Sequence, residues 1–182
     1  MNGGRRGYLE MMTAAAASSF SRDQVEVLDL VGRAGALPFD ALLDRVVEAL
    51  HARFPHYTGV YLYWMDGPDA LVLRTHRGRP TEHTRIPVAV GICGRAVREK
   101  QTVIVDDVTA DPSYLACSLE TKSEIVVPIM KGDLVLGEID IDGDAAAAYG
   151  PTDQRFLEEL ARLIAGRVTS QRTRARSRPR EE

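Results

Sequence analysis

The stretch SEIVVPIMKGDLVLGEIDID, residues 123–142, decides the fold, because it reads as two strands joined by a tight turn. Apolar and β-branched residues dominate both halves, and Lys-Gly-Asp at 131–133 has the composition of a hairpin turn. In EIDID, residues 138–142, acids alternate with isoleucines, so the acids share one strand face and the isoleucines the other. The pattern predicts an antiparallel hairpin whose isoleucines enter a core.

A second hairpin precedes it in the chain. GVYLYWM at 59–65 and LVLRTHR at 71–77 are β-rich runs separated by the turn sequence DGPDA. Two antiparallel hairpins with helices at both ends of the chain predict an α+β domain. We expect a central antiparallel sheet with terminal helices packed on one face and ligand-pocket loops on the other.

The helices follow from apolar residues at helical spacing. Residues 37–54, LPFDALLDRVVEALHARF, carry one apolar stripe, and a shorter helix is predicted to begin at an N-cap at Ser21. The last helix lies within residues 150–171, and Thr152 is its predicted N-cap. The domain is expected to cover residues 21–171.

The two ends of the chain have a different composition. Residues 1–20 are rich in Gly, Ala and Ser without an apolar period and predict a flexible leader. Residues 172–182, RTRARSRPREE, are basic and predict a disordered tail.

Composition limits the classes of function. The 182 residues are 45% hydrophobic and 27% charged, with a net charge of -3, and the basic tail makes the body more acidic still. We therefore expect no nucleic-acid partner. No apolar run reaches the roughly 18 residues of a membrane span, so we expect no membrane and a cytoplasmic location. Two cysteines are too few for a secreted disulfide framework.

Both cysteines lie in local settings that favour a reactive thiol. Cys117 lies in a predicted loop, and Cys93 lies between glycines in GICG at the start of a short helix, where free N–H groups favour an anion. The alternative for each is a small buried hydrophobic residue.

Acidic residues form a second candidate group. Asp140 and Asp142 share a strand face with Glu138, and Glu124 heads the adjacent strand, which predicts an acidic cup. Such a cup suits a cation such as an α-ammonium group, and crowding of like charges can keep one carboxyl protonated as an acid. The alternative is a solvated strand face.

Aromatic residues and histidines complete the inventory of candidates. Tyr57, Tyr61 and Tyr63 are predicted to share another strand face, where they either wall a pocket or occupy half-buried sheet positions. The four histidines show no ligand spacing, so no metal is expected.

Several of these motifs together resemble one family. GVYLY, IPVAVGICGRAV, VIVDDV, LACSLETKSEIVVPI, LVLGEIDID and FLEELARLI resemble, in that order, the free methionine-(R)-sulfoxide reductases, which are single GAF domains. The match covers roughly residues 37–168. It implies a GAF-like fold and an enzyme that reduces the sulfoxide of the free amino acid.

The resemblance also implies roles for individual residues. Cys117 corresponds to the nucleophile that attacks the sulfoxide sulfur, and Cys93 to the cysteine that forms a disulfide with it. Thioredoxin, the implied partner, reduces that disulfide, and no bound cofactor is implied. The residues implied to contact substrate are Glu124, Asp140, Asp142, Tyr57 and Tyr61.

The chain departs from the family pattern at several positions. His83 stands where many members carry a third cysteine, and VAVG before Cys93 replaces a glycine and a polar residue. Ser118 stands where Asp is common, and Tyr57 where Trp is common. Two cysteines suffice for the implied cycle, while the other changes reshape the pocket.

Two functions of other classes stay open at this level. One is a non-catalytic GAF sensor that binds a small ligand and signals as a homodimer through its terminal helices. The other is a redox-sensing module in which Cys93 and Cys117 form a regulatory disulfide. No output domain such as a kinase or a DNA-binding motif is recognisable, which favours the enzyme.

Overall fold

A computed structural model describes residues 19–112, 114–115, 118 and 120–168. The helices are α1 (Arg22–Gly32), α2 (Phe39–Arg53), α3 (Gly91–Glu99) and α4 (Pro151–Arg167). The strands are β1 (Gly59–Met65), β2 (Ala70–Gly78), β3 (Arg85–Pro87), β4 (Val103–Val105), β5 (Ser123–Lys131) and β6 (Leu134–Gly143), with a 3-10 turn at Val108–Ala110. The leader up to residue 18 and the tail from residue 169 lie outside the described residues, so both stay predictions.

The six strands form one antiparallel sheet in the order β3-β2-β1-β6-β5-β4. Both predicted hairpins are present, as β1–β2 and β5–β6, and the strands β1 and β6 pair at the centre. This pairing brings residues distant in sequence side by side. Tyr61 is opposite Asp140, and Glu124 is opposite Asp142.

One face of the sheet carries the main hydrophobic core. Ile139 and Ile141 point into it, as their alternation with acids predicts, and both are fully buried. Helices α1, α2 and α4 cover this face with their apolar stripes, and α1 packs on both other helices. The expected α+β, GAF-like arrangement is confirmed.

The opposite face carries α3 and the connecting loops over a smaller core. Cys93, Ile92 and Ala96 of α3 pack there against Tyr61 and Val126 of the sheet. The acids of β6 therefore face a layer of protein instead of water.

The helix starts show where local sequence rules succeed. Ser21 caps α1 as predicted, in a reciprocal capping box with Gln24. The prediction that Thr152 caps α4 is wrong, because Gly150 is the N-cap and the side chain of Asp153 accepts its N–H at 3.0 Å. Pro151 occupies the first helical position, where its missing N–H costs nothing, and this places Thr152 inside the helix.

Among the described residues, none of the helices combines the length and the apolar character that a bilayer crossing requires.

Candidate active site

The carboxyl groups of β6 are buried. Glu138, Asp140 and Asp142 are 0%, 1% and 1% exposed, although they lie on the face that the alternation separates from the main core. A solvated strand face is therefore excluded. Glu124, 5% exposed on the neighbouring strand β5, adds a fourth carboxyl to the group. We call these four residues the acidic cup.

The thiol of Cys93 enters the acidic cup from α3. Its Sγ lies 3.5 Å from Asp140 Oδ2 and 4.0 Å from Glu124 Oε1. In both contacts the thiol is the donor and the carboxyl oxygen the acceptor. Residues that are 31 and 47 positions apart in the chain thus meet at one sulfur atom.

Two glycines fix the start of α3 and its approach to the loop before it. Gly91 has φ +74°, a conformation that side chains other than glycine rarely adopt. A Cβ atom at Gly94 would lie 2.4 Å from the carbonyl oxygen of Val88. The glycines on both sides of Cys93 therefore fix how the helix begins and how near it lies to the preceding loop.

The electrostatic environment keeps Cys93 in its thiol form. Burial raises the pKa of Cys93, and the nearby carboxylates of Asp140, Glu138 and Glu124 raise it further. The expectation that the helix N-terminus makes Cys93 an anion is therefore wrong. A helix end contributes at most about 2 kcal/mol, which burial beside several acids outweighs.

Burial and mutual repulsion raise the pKa values of the acids in the cup. Burial raises the pKa of both Glu124 and Asp140, and neighbouring acids raise it further. Burial raises the pKa of Asp142 as well, and raises that of Glu138 to about 8. The acidic cup thus favours the protonated form of its carboxyls more than a solvated site would, and a cation entering it would relieve the repulsion among the ionised forms.

Several oxygens of the acidic cup have no hydrogen-bond partner among the described residues. These atoms are Glu138 Oε1 and Oε2, Asp140 Oδ1 and Asp142 Oδ2. Glu138 lies close enough to Cys93 for the two groups to perturb each other's pKa, yet neither of its oxygens has a well-aligned donor. Unpaired buried carboxyl oxygens are unfavourable, and they often mark a place where a ligand binds.

The predicted aromatic residues separate into two places. Tyr61 lies in the same small core as Cys93, and its hydroxyl donates to the carbonyl oxygen of Arg79 at 3.1 Å. Tyr57 packs in the main core on the other face, and its hydroxyl donates to Asp153 Oδ1 at 2.8 Å. The prediction that Tyr57 shares a face with Tyr61 is wrong, because β1 begins only at Gly59 and strand alternation does not extend back to Tyr57.

A small cavity of about 10 Å³ adjoins the thiol. Its lining consists of Ile86, Gly91, Ile92, Cys93, Leu115 and Glu124. Leu115 thus lies beside Cys93, and ion pairs hold Asp111 to Arg95 at 3.0 Å and Glu120 to Arg79 at 2.8 Å. Cys117 lies outside the described residues, so its position beside Cys93 stays a prediction.

Comparison with known proteins gives the family. The model of the GAF domain matches residues 36–167. The free methionine-R-sulfoxide reductase of Escherichia coli is 31% identical, over 70% of this chain and 76% of the relative. That of Saccharomyces cerevisiae is 40% identical, over 60% of this chain and 61% of the relative.

A solved structure gives the same family. The free methionine-R-sulfoxide reductase of Neisseria meningitidis, in complex with its substrate, is 32% identical and superposes with a TM-score of 0.72, covering 80% of this chain and 90% of that one. The chain is a GAF domain protein of the free methionine-R-sulfoxide reductase family. It is accordingly an oxidoreductase, as expected from the motifs.

Within this member of the reductase family, one group of side chains has the donor atoms for a metal ion. Cys93 Sγ and carboxyl oxygens of Glu124 and Asp140 all lie within 4.8 Å of one another. Sequence spacing did not reveal this set, because its members come from three separate elements. Only the pairing of β5 with β6 and the docking of α3 bring them together.

Glu138 is a site residue of this reductase that is absent from the residues predicted to contact substrate. Its parity with Asp140 and Asp142 was visible, but its complete burial and its contact with Cys93 were not. The available signal is the shared parity of Glu138 with Asp140 and Asp142 in EIDID, which places all three acids on one strand face but does not by itself separate a buried face from a solvated one.

Proposed function

We propose that the protein reduces free L-methionine (R)-sulfoxide to methionine. The observation that carries the proposal is the thiol of Cys93, held 3.5 Å from Asp140 within a buried acidic cup, in a chain of this family. Catalytic roles are assigned to Cys117 and Cys93. Substrate contacts are assigned to Glu124, Asp140, Asp142 and Tyr61, while Tyr57 is left out because of its place in the main core.

The acidic cup suits the α-ammonium group of a free amino acid. A cation that enters favours ionisation of the acids around it, and the otherwise unpaired oxygens of Asp140 and Asp142 become acceptors for its N–H groups. The cavity of about 10 Å³ holds roughly one water molecule, so we infer that Ile86 and Leu115 at its mouth move to admit the substrate. An enclosed site that requires a charged ammonium would refuse methionine sulfoxide within a peptide.

The proposed chemistry uses the two cysteines in sequence. The thiolate of Cys117 attacks the sulfoxide sulfur, a protonated carboxyl of the acidic cup gives its proton to the oxygen, and methionine leaves. Cys117 is left as a sulfenic acid, which the thiol of Cys93 attacks, with loss of water, to form a disulfide. A dithiol protein, thioredoxin, then reduces that disulfide and becomes oxidised itself.

The raised pKa of Cys93 supports this division of roles. A thiol that stays protonated at neutral pH is a poor first nucleophile, so it leaves the sulfoxide to Cys117. An ionised Asp140, 3.5 Å away, is placed to take the proton when Cys93 attacks the sulfenic acid. The proposal also includes thioredoxin as external reductant, no bound cofactor, a cytoplasmic location and a homodimer through the terminal helices.

A coupled assay tests the reaction. Purified protein is mixed with thioredoxin, thioredoxin reductase and NADPH, and three sulfoxides are supplied in turn: the free (R) form, the free (S) form and a peptide-bound form. We expect NADPH oxidation only with the free (R) sulfoxide. No oxidation above the substrate-free rate, with both thiols shown to be reduced at the start, would contradict the proposal.

Single-cysteine variants test the two roles. Cys117→Ser should abolish turnover, whereas Cys93→Ser should release about one methionine per enzyme and then stall. A sensor or a purely regulatory disulfide would release no methionine in either case. Repeated turnover by Cys117→Ser would show that the nucleophile is assigned to the wrong residue.

A further inference from the structure

Cys93, Glu124 and Asp140 have donor atoms of the kinds that Zn²⁺ binds in proteins, which are a thiolate sulfur and carboxylate oxygens. We propose that these three residues form a site for a thiophilic divalent cation such as Zn²⁺, and that the cation and the substrate exclude each other. The cation is an inhibitor in this proposal and not a cofactor. The site is distinct in chemistry from the proposed ammonium contact, although it uses two of the same carboxyls.

The distances between the donor atoms already suit a tetrahedral ion. With Zn–S and Zn–O bonds of about 2.3 and 2.1 Å, sulfur and oxygen ligands lie about 3.6 Å apart. Cys93 Sγ is 3.5 Å from Asp140 Oδ2 and 4.0 Å from Glu124 Oε1. The carboxyl oxygens of Glu124 and Asp140 lie within 4.8 Å of each other, so a shift of the Glu124 side chain toward the other two donors completes the geometry.

A second observation points to a bound cation at the same place. Both carboxyl oxygens of the fully buried Glu138 and Oδ1 of Asp140 have no hydrogen-bond partner among the described residues. Glu138 lies on the same strand face as Asp140, and its carboxyl is close enough to the Cys93 thiol for the two groups to perturb each other's pKa. Its negative form adds to the attraction for a cation without occupying a coordination position.

The two arginines whose charges act on the acidic cup are already paired with other acids, so neither takes the place of the cation. Arg95 is the cation whose charge acts on Glu124, but its guanidinium is paired with Asp111 at 3.0 Å. Arg79, which acts on Asp142, is paired with Asp144 and Glu120. Both arginines are thus engaged at the rim by acids outside the donor group.

The cavity beside Cys93 and Glu124 leaves a fourth position. Its volume of about 10 Å³ fits roughly one water molecule, which is the usual fourth ligand of zinc sites with three protein ligands. Metal binding would occupy the Cys93 thiolate and two carboxylates. If the proposed function is correct, a metal-loaded protein can neither bind the substrate ammonium nor form the Cys93 disulfide.

Direct binding to the reduced, chelator-stripped, full-length protein tests the site. Zn²⁺ binding is measured by calorimetry, and Cd²⁺ is the spectroscopic probe, because a cadmium–thiolate bond gives an ultraviolet charge-transfer band. We expect one equivalent of each metal to bind to the wild type. Cys117→Ser is the matched control: it removes the other thiol of the chain but should keep both the stoichiometry and the band.

Variants of the three ligands should lose the site. Cys93→Ser should lose the band, and Cys93→Ser, Asp140→Asn and Glu124→Gln should each weaken Zn²⁺ binding about 100-fold or more, since loss of an outer hydrogen-bond partner alone costs roughly 10- to 100-fold. Circular dichroism checks that each variant is folded. If Cys93→Ser does not fold, the cadmium band of the wild type and its loss in Asp140→Asn still decide the question.

The results that overturn the proposal are distinct from those that overturn the reductase function. No binding to the wild type, unchanged binding to Cys93→Ser, or loss of the band in Cys117→Ser would each refute the site. In Cys117→Ser, which cannot turn the sulfoxide over, saturating free methionine sulfoxide should raise the apparent Kd for Zn²⁺, and an unchanged Kd would refute mutual exclusion. Metal binding by a protein that is inactive in the coupled assay would refute the proposed function and leave the site intact.

Discussion

Replacing Glu138 by methionine should stabilise the protein, and more so as the pH rises. Glu138 is fully buried, its oxygens have no hydrogen-bond partner among the described residues, and its neighbours across the sheet are Tyr63 and Pro128. Methionine has a similar length, fills the same space with apolar atoms and has no charge to bury.

The magnitude follows from the pKa of Glu138. Burial raises it from an ordinary value of 4.5 to about 8, so the ionised form is the one that the fold disfavours. A carboxyl with a raised pKa leaves stability unaffected below its unfolded-state pKa, and costs stability progressively as pH rises toward the folded-state value. The cost is about 2 kcal/mol at pH 6, about 3 kcal/mol at pH 7 and about 4 kcal/mol at pH 8.

Urea unfolding of both proteins at these three pH values, with a chelator present, measures the difference. We expect the free energy of unfolding of Glu138→Met to exceed that of the wild type at each pH, by an amount that grows with pH. Glu138→Gln serves as a control that removes the charge but keeps a buried polar group, and it should gain less. A variant less stable than the wild type, or a difference that does not change with pH, would show that the Glu138 carboxyl is not buried without a partner.

Two further predictions concern the helices and the main core. Gly94→Ala should destabilise the protein by more than about 1 kcal/mol in thermal or urea unfolding, because its Cβ would lie 2.4 Å from the carbonyl oxygen of Val88. Gly166→Ala, in a helix with open space around it, should stabilise the protein by up to about 1 kcal/mol. Equal effects of the two substitutions would contradict the close approach of Gly94 to Val88. Tyr57→Phe should cost about 1.5–3 kcal/mol at neutral pH, because its hydroxyl donates to Asp153 at 2.8 Å. The pKa of Asp153 is lowered overall, because the burial that raises it is outweighed by the hydrogen bonds that it accepts. The stabilisation is therefore present above the ordinary pKa of an aspartate, and the cost of Tyr57→Phe should fade as acid protonates Asp153. A cost that is the same at neutral and acid pH would refute this reasoning.

Local patterns predicted the architecture well. The alternation in residues 138–142 placed Ile139 and Ile141 in the core, and the apolar stripe of residues 37–54 predicted α2. These successes share a cause, because the period of side chains along a strand or helix is a property of the local backbone. The capping box at Ser21 is local in the same sense.

Local patterns failed where a neighbouring element decides the outcome. Thr152 has the chemistry of an N-cap, but Pro151 fixes the helix start two residues earlier than that cap would, and Asp153 completes the cap from inside the helix. Tyr57 has the parity of Tyr61, but it precedes the strand and packs under α4. In both cases the residue type was suitable and the backbone that carries it was different from the one assumed.

The sequence by itself determined the class of fold, the face of β6 on which the acids lie, and the family to which the chain belongs, because all three depend on patterns within short segments. Only the tertiary structure decided that these acids are buried around the thiol of Cys93, since α3 and β6 are brought together by packing across the sheet. Burial in turn sets the chemistry. The same carboxyls on a solvated strand would be ionised, whereas burial beside Cys93 raises their pKa values, because removal from water penalises every charge that has no partner.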